Sequence, residues 1–333
     1  MGNVMKSKTG LILLIFVFSW SGLRLTQAQQ SEKCLAVITE INGEAFLKKV
    51  NKGEFSKTSW GTQLFKGDEI KTSGKSEVKL LFSNSNLISL GPNSVIIISG
   101  KESTATESTG NVRNISSATM VSLSDLIPKR EDKNDAGALA GLRSVSKDQS
   151  IELTSPNNTL IKTDRPSFSW IVKKSFDNYI VNLYNSKGLV WSKKVSENIL
   201  KYPENEMGLK FGESYFWNVA GEYLIDTDKS SDHKFSVLSL EKSKEVEENE
   251  NTIRNTFKND PVSSSLHSVL GAYYKNKGLL QDAIIEFQTI AKLNKDAALP
   301  HELLGSLYSE TGDKDKAIEE LQKALMLAKD KEK

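Results

Sequence analysis

Short apolar runs alternate with polar turn residues over the first third of the chain, a pattern that predicts an antiparallel β region. Each run is bounded by Gly, Asn, Pro or Ser. Val78, Leu80 and Phe82 alternate on one face, as a half-buried strand requires, and Ser-Asn-Ser-Asn at 83–86 supplies a hairpin loop after it. The expected strands are 36–41, 43–49, 68–72, 77–82, 87–90 and 94–98.

The same stretch contains acidic side chains that invite a catalytic interpretation. Asp68 and Glu69 are adjacent, as a general acid and base could be. Adjacent residues of a strand point to opposite faces, however, so the two carboxylates cannot converge on one substrate. We therefore expect Asp68 to hydrogen-bond within its own turn and the stretch to build a fold, with binding as its only activity.

Three segments of this region occur in an order typical of a known family. They are Asn-Gly-Glu-Ala at 42–45, Gly-Asp-Glu-Ile-Lys-Thr at 67–72 and Gly-Pro-Asn at 91–93. From Val37 to Ser94, this order resembles the FecR-type domain, a small all-β module of bacterial envelope proteins. The hairpin departs from the family pattern, since Asn-Ser-Asn at 84–86 replaces the common Asp-Gly-Ser. The resemblance implies an all-β FecR-type domain at 34–100.

The composition changes after this region. Residues 101–150 are rich in small and charged side chains that bury little apolar surface, so we interpret them as a linker. A short docked strand is expected within it, at 119–123. Each flanking module is expected to fold by itself, with the loosest part of the chain in this linker.

Aromatic-rich alternation returns at 151–239, with the strand spacing of a β-sandwich. The order Leu209, Gly212, Tyr215, Trp217 resembles the tyrosine corner of fibronectin type III and related immunoglobulin-like domains. This resemblance implies an Ig/FnIII-like β-sandwich in which Trp170 and Trp217 are core residues.

The last segment, 240–333, repeats itself at one constant offset. Matching positions carry His267 and His301, Gly271 and Gly305, Tyr274 and Tyr308, Ala283 and Ala317. The offset and the residue pattern resemble those of tetratricopeptide (TPR) repeats, which have a period of about 34 residues. We place the repeats at 264–297 and 298–331. Three repeats are the usual minimum for stability, so we expect residues 241–258 to add a covering helix or a partner to cover one end.

The inner faces of the first helices of these repeats are the candidate binding site. In TPR proteins this face is a peptide groove, and helical spacing brings one set of side chains onto it. An ordinary polar surface is the alternative, because the Lys and Asn pairs of a carboxylate clamp are not found here. The groove residues are Ser268, Lys275, Asn276, Glu302, Ser306 and Glu310.

The N-terminus has the features of a secretory signal. Lys6 and Lys8 precede an apolar run at 11–20, and small residues near Ala28 fit signal-peptidase cleavage, so residues 1–28 are expected to be removed. Removing three basic residues with this segment changes the formal charge from +2 to −1, and no basic surface for nucleic acid is then expected. No stable membrane span is expected downstream.

Catalytic and metal-binding motifs are not found in the sequence. The chain has three His and one Cys, and His267 and His301 fall on helix-packing positions. No phosphate loop, Gly-x-Ser-x-Gly or His-Glu-x-x-His is present. We therefore expect no catalytic residue, no metal and no cofactor.

These observations predict a multidomain β plus α protein: a FecR-type β domain, an Ig/FnIII-like β-sandwich and C-terminal α-helical TPR hairpins. The predicted function is a non-enzymatic exported scaffold or binding protein of the bacterial envelope. Its expected partner is another envelope protein or peptide, with a cell-wall glycan as a second ligand class. A FecR-like receptor linked to a sigma factor and an accessory module of a cell-wall or glycan hydrolase system are the alternatives. The periplasm is the first expected location and the extracellular space the second.

Overall fold

The computed structural model describes residues 33–99, 107–116, 121, 123–127, 150–223 and 226–330. The signal segment predicted at 1–28 and much of the linker predicted at 101–150 lie outside these ranges. The described chain combines an N-terminal region of several sheets, a second β region and C-terminal helices, so the coarse β plus α prediction is confirmed.

The first β region consists of two antiparallel five-stranded sheets, ordered β10-β7-β6-β1-β4 and β3-β2-β5-β8-β9. Alternating apolar residues of both sheets, such as Ile38, Leu80, Ile70 and Ile96, fill one core. The strands are β1 Ala36–Asn42, β2 Ala45–Lys48, β3 Ser56–Lys57, β4 Gln63–Leu64, β5 Glu69–Thr72, β6 Glu77–Phe82, β7 Leu87–Leu90, β8 Val95–Ile97, β9 Glu107–Thr109 and β10 Val112–Ser116.

Part of the predicted linker belongs to this β region. Strand β9 pairs with β8 and β10 with β7, so each sheet gains an edge strand. Their polar sequences gave no apolar alternation, because an edge strand is held by backbone hydrogen bonds and keeps many side chains in water. The strand predicted at 119–123 is wrong at Leu123, which begins the one-turn helix α1 (Leu123–Leu126); residues 119, 120 and 122 lie outside the described chain.

The second β region also encloses one core between two sheets, ordered β11-β13-β16 and β12-β19-β17-β14-β15, with β18 beside β17. Trp170 and Trp217 are buried in it, as predicted, and the Phe168 and Trp217 rings lie 4.9 Å apart. The strands are β11 Ile151–Ser155, β12 Thr159–Ile161, β13 Ser167–Val172, β14 Asn178–Asn185, β15 Gly188–Val195, β16 Ile199–Lys201, β17 Ser214–Tyr223, β18 Asp226–Lys229 and β19 His233–Val237.

The C-terminal region is helical. A covering helix does form before the two repeats, and the Ser239 hydroxyl caps it by accepting from the Lys242 N–H. Two antiparallel hairpins follow it. The first is formed by the helices Ser264–Asn276 and Leu280–Leu293, and the second by Leu299–Thr311 and Lys314–Asp330. The helices are α2 Leu240–Thr256, α3 Ser264–Asn276, α4 Leu280–Leu293, α5 Leu299–Thr311 and α6 Lys314–Asp330.

The helical region does not keep a core to itself. Val37, Trp60, Leu81 and Leu87 of the first β region join the apolar residues of the helices in one continuous cluster. Leu123 and Leu126 of α1 belong to the same cluster. The expectation of three self-contained modules therefore fails for the helical region, because its inner face is buried against β strands of the same chain.

Close packing within each hairpin requires glycine, which gives a testable prediction. A Cβ on Gly271 would lie 2.9 Å from the Phe287 ring, too close for an unshifted contact. We expect Gly271→Ala to cost about 1–3 kcal/mol of stability through overpacking. The matched control is Gly53→Ala, where a Cβ would have no neighbour within 4 Å. Urea denaturation of both variants is the measurement, and equal midpoints would show that α3 and α4 do not depend on this contact.

Candidate functional site

The predicted groove residues fall into two groups in the structure. Ser268 of α3 is fully buried, and its hydroxyl donates to the Ser264 carbonyl at 2.6 Å. Lys275 is half-buried, and the Asn276 amide donates to Asp125 of α1 at 3.4 Å. The chain itself thus covers the α3 part of the groove at Ser268, whereas Asn276 at the end of α3 is exposed beside α1.

The α5 part of the groove reaches the surface. Glu302 and Ser306 are half-buried, and Glu310 is exposed. The Ser306 hydroxyl donates to the Glu310 carboxylate at 3.4 Å, so these two residues share one helix face. The accessible groove is therefore short and carries two carboxylates.

Strand β1 is the element that covers α3. The hydroxyls of Thr39 and Ser265 lie 2.8 Å apart in a buried hydrogen bond, in which either oxygen can donate. Ser265 and Ala272 are fully buried, as is Thr39. Small side chains at these helix positions allow a strand to approach closely, and the same property makes them resemble a groove in the sequence.

A buried ionic cluster fixes this contact at the N-terminus of α3. The Lys79 ammonium lies 3.0 Å from both carboxylate oxygens of Glu40, 3.0 Å from Asp260 and 3.2 Å from the Ser263 hydroxyl. Glu40 also accepts from the Ser263 hydroxyl and, at 3.3 Å, from the Ser265 N–H. A strand carboxylate thus satisfies orphan donors of a distant helix and complements its dipole.

The charges of this cluster suit a structural contact. Burial alone would lower the pKa of Lys79, but its hydrogen bonds to Asp260 and Glu40 outweigh burial and raise that pKa. The ammonium is therefore charged at neutral pH. Two carboxylates and one ammonium leave an excess negative charge, which the N-terminus of α3 offsets.

The second β region docks on the helices through a different cap. The N-cap residue of α4 is Leu279, whose side chain accepts no hydrogen bond from the first N–H groups of the helix. The Thr159 hydroxyl of β12 does so instead, accepting from the Leu280 N–H at 2.9 Å. The Leu160 N–H donates to the Gly278 carbonyl at 3.0 Å, and the Asn158 amide donates to the Thr311 carbonyl at 3.3 Å. Both turns between paired helices therefore hold this β region.

Two histidines predicted as packing residues bridge the helices of their hairpins. His267 Nδ1 lies 2.6 Å from a carboxylate oxygen of Glu286, and His301 Nδ1 lies 2.5 Å from Glu320. The two glutamates are separated by the same offset as the two histidines, so the pair repeats as a unit. The glutamates were missed in the sequence, although the repeat offset would have found them.

Four other side chains with reactive groups are Asp68, Glu69, Cys34 and His233. Asp68 accepts from the Phe65 N–H at 3.0 Å, which confirms its predicted role within its own turn, while Glu69 faces away and pairs with Lys48. Burial raises the pKa of the Cys34 thiol and lowers the pKa of His233 to about 4, so both are neutral at pH 7. Within the described ranges, no cluster of His, Cys, Asp and Glu could hold a metal ion.

The helices also bear on membrane association. Among the described residues, no helix combines the length and the apolar character needed to cross a bilayer.

Comparison with known proteins supports one of the predicted modules. Residues 301–331 match the family model for the tetratricopeptide repeat, which confirms the second of the two predicted repeats. No curated protein matches the chain. The chain is thus a β plus α protein with a TPR repeat, a module whose ordinary task is protein–protein contact.

Three solved structures have a faint likeness to this chain. One, described as a cell surface anchoring domain, is 19% identical over 22% of this chain and 97% of its own, with a TM-score of 0.20. The fibronectin(III)-like modules of Clostridium thermocellum CbhA are 7% identical over 59% of this chain and 77% of their own, with a TM-score of 0.19. A beta-1,2-glucanase from Parabacteroides distasonis is 11% identical over 89% of this chain and 60% of its own, with a TM-score of 0.24. These TM-scores are too low to support an argument about fold or function.

Proposed function

We propose that this chain is a non-enzymatic exported binding protein of the bacterial cell envelope, in which the helical region holds two β regions and recruits a partner protein. One observation carries the proposal. The inner face of α3 already binds a β region of the same chain. By the repeat offset, Glu302, Ser306 and Glu310 lie on the equivalent face of α5, where Glu302 and Ser306 are half-buried and Glu310 is exposed. The helical region is therefore a protein-binding surface of which part is open.

The chemistry of the open part favours a basic partner segment. Glu302 and Glu310 lie two turns apart on α5, with the Ser306 hydroxyl between them. Lysine or arginine side chains spaced along an extended or helical segment would complement these carboxylates. Because the open face is short, we expect affinity in the micromolar range.

The two β regions are proposed to be a FecR-type domain and an Ig/FnIII-like sandwich. The first assignment rests on the motif order at 42–45, 67–72 and 91–93. The second is supported by the Tyr215 hydroxyl, which accepts from the Lys210 N–H at 2.9 Å, as in a tyrosine corner. Envelope location, with the periplasm as the first compartment, follows from these resemblances and from the signal predicted at 1–28.

The proposal of a non-enzymatic protein rests on what the candidate catalytic side chains do. Asp68 closes a turn, and the His267–Glu286 and His301–Glu320 pairs join helices. Each of these groups has a packing role that accounts for its position.

Site-specific photo-crosslinking tests the open groove. With p-benzoylphenylalanine at Ser306, we expect a defined protein adduct in the cells that produce the chain. Glu310→Lys should weaken the adduct while changing stability by less than about 1 kcal/mol, because Glu310 is exposed. The matched control carries the photoreactive residue at Lys292, an exposed position on α4. An equal adduct at both positions, or one that the charge reversal leaves unchanged, would contradict the groove proposal.

A further inference from the structure

The outward face of α6 carries a regular stripe of residues. Positions 315, 318, 322, 325 and 329 follow one another at alternating steps of three and four, which places them on one side of a helix. Leu325 is 47% exposed, and its neighbour Met326 is more exposed still. Ile318 and Leu325 are the apolar members of the stripe, and they lie on either side of Gln322. Asp315 stands at one end of the stripe and Lys329 at the other.

In the first hairpin, the equivalent face of α4 is covered by the next helix. By the repeat offset, Ile284 and Ala291 of α4 are the equivalents of Ile318 and Leu325. Ile284 is buried and Ala291 packs against the same core, because α5 covers this side of α4. The equivalent side of α6 has no such cover within the described part of the chain, where Ile318 is half-buried and Leu325 exposed. Met326 also takes the place that a lysine holds in the first hairpin.

We propose that this face of α6 pairs with the same face of a second copy of the chain, around a two-fold axis. Head-to-tail stacking of copies is blocked, because α3 is covered by α2, whose Val246 and Ile253 lie in the shared core. A contact in which one patch meets itself remains open, and it closes as a dimer.

The charges of α6 are complementary in this arrangement. An antiparallel pair with its axis at Gln322 sets Asp315 of each copy opposite Lys329 of the other, and Ile318 opposite Met326 and Leu325. The Gln322 amides meet at the axis, where each can donate and accept. Antiparallel helices also bring opposite dipole ends together.

The dimer is expected to be weak. Helix α6 has 17 residues and is therefore about 25 Å long. One helix pair of this length buries less than the roughly 1,600 Å² of a standard interface. We expect a dissociation constant of about 10 μM or higher, so the dimer is seen only as protein concentration rises.

Sedimentation velocity of the full chain over a concentration series tests the pairing. The unchanged chain should shift from monomer to dimer, and Leu325→Lys should remain monomeric. Ile285→Lys is the matched control, because Ile285 is 53% exposed on α4, outside the stripe. We expect it to dimerise as the unchanged chain does. A chain that stays monomeric throughout, or a dimer that tolerates Leu325→Lys, overturns the proposal.

Charge exchange tests the direction of the pairing without altering the apolar residues of the stripe. Asp315→Lys should weaken dimerisation about tenfold by setting like charges opposite each other. Adding Lys329→Asp should restore the original affinity, because each pair then has opposite signs again. If the double variant is as weak as the single one, the antiparallel register is wrong. The outcome does not bear on Glu302, Ser306 and Glu310, which lie on α5.

Discussion

Replacing Lys79 with Met should lower the free energy of unfolding by about 3–5 kcal/mol, the cost of leaving one partner of a buried ion pair alone. The side chains of Lys79 and Glu40 are only 8% and 6% exposed. Without the ammonium, Glu40 keeps its hydrogen bonds from the Ser263 hydroxyl and the Ser265 N–H but loses its only charge partner among the described residues. Urea denaturation followed by circular dichroism is the measurement.

Two further variants define the origin of this effect. Lys48→Met breaks a pair with Glu69 whose members are both partly exposed, and should cost less than about 1 kcal/mol. Glu40→Gln combined with Lys79→Met should recover part of the loss, because no buried carboxylate is then left unpaired. If Lys48→Met and Lys79→Met were equally mild, the cluster would be solvated and would not hold β1 on α3.

The loss in free energy of unfolding caused by Lys79→Met, called the deficit here, should depend on pH. Its pH dependence follows from the raised pKa of Lys79. A lysine whose pKa is raised by folding stabilises the folded state fully below its unfolded pKa of 10.5. Its contribution is lost only as pH rises through the folded value. The deficit should therefore be constant from neutral pH up to the ordinary lysine pKa and shrink above it.

Local pattern was enough to predict the strands with strong alternation and the helical repeats. Val78 and Leu80 of β6 are buried in the sheet core as the alternation required. The half-buried strand that the alternation predicted is wrong for the opposite face, because Leu81 is buried in the cluster that includes the helices. The matching positions 271 and 305 face their partner helices closely. Such features depend on residues a few positions apart, or on a repeat that the sequence shows twice.

Contacts between distant segments could not be predicted in this way. Lys79 and Asp260 are 181 positions apart, and neither the strand nor the helix carries a signal that selects the other. Ser268 is predicted on an open inner face but is fully buried, and the reason is physical. Small residues permit close approach by any backbone, whether a partner peptide or, as observed, strand β1 of the same chain.

The second large effect is expected from Trp217→Ala, which should destabilise the second β region by about 3–5 kcal/mol. Trp217 is 0% exposed, its indole N–H donates to the Pro156 carbonyl at 2.8 Å, and its ring packs on Phe168. The neighbouring residue of the same strand points to the other side of the sheet, where Phe216 is 40% exposed. Phe216→Ala is therefore the matched control and should cost less than about 1 kcal/mol.

The Trp217→Ala variant should also loosen a helix that it does not touch. Trp217 is connected to Thr159 through Phe235. Phe235 of β19 lies in the same core as Trp217 and pairs with Thr159 of β12. Thr159 in turn caps α4 at the Leu280 N–H. Hydrogen exchange in Trp217→Ala should therefore become faster at the first turn of α4, and less so in α6. If faster exchange were confined to residues 150–237, the Thr159 cap would not couple the stability of the two regions.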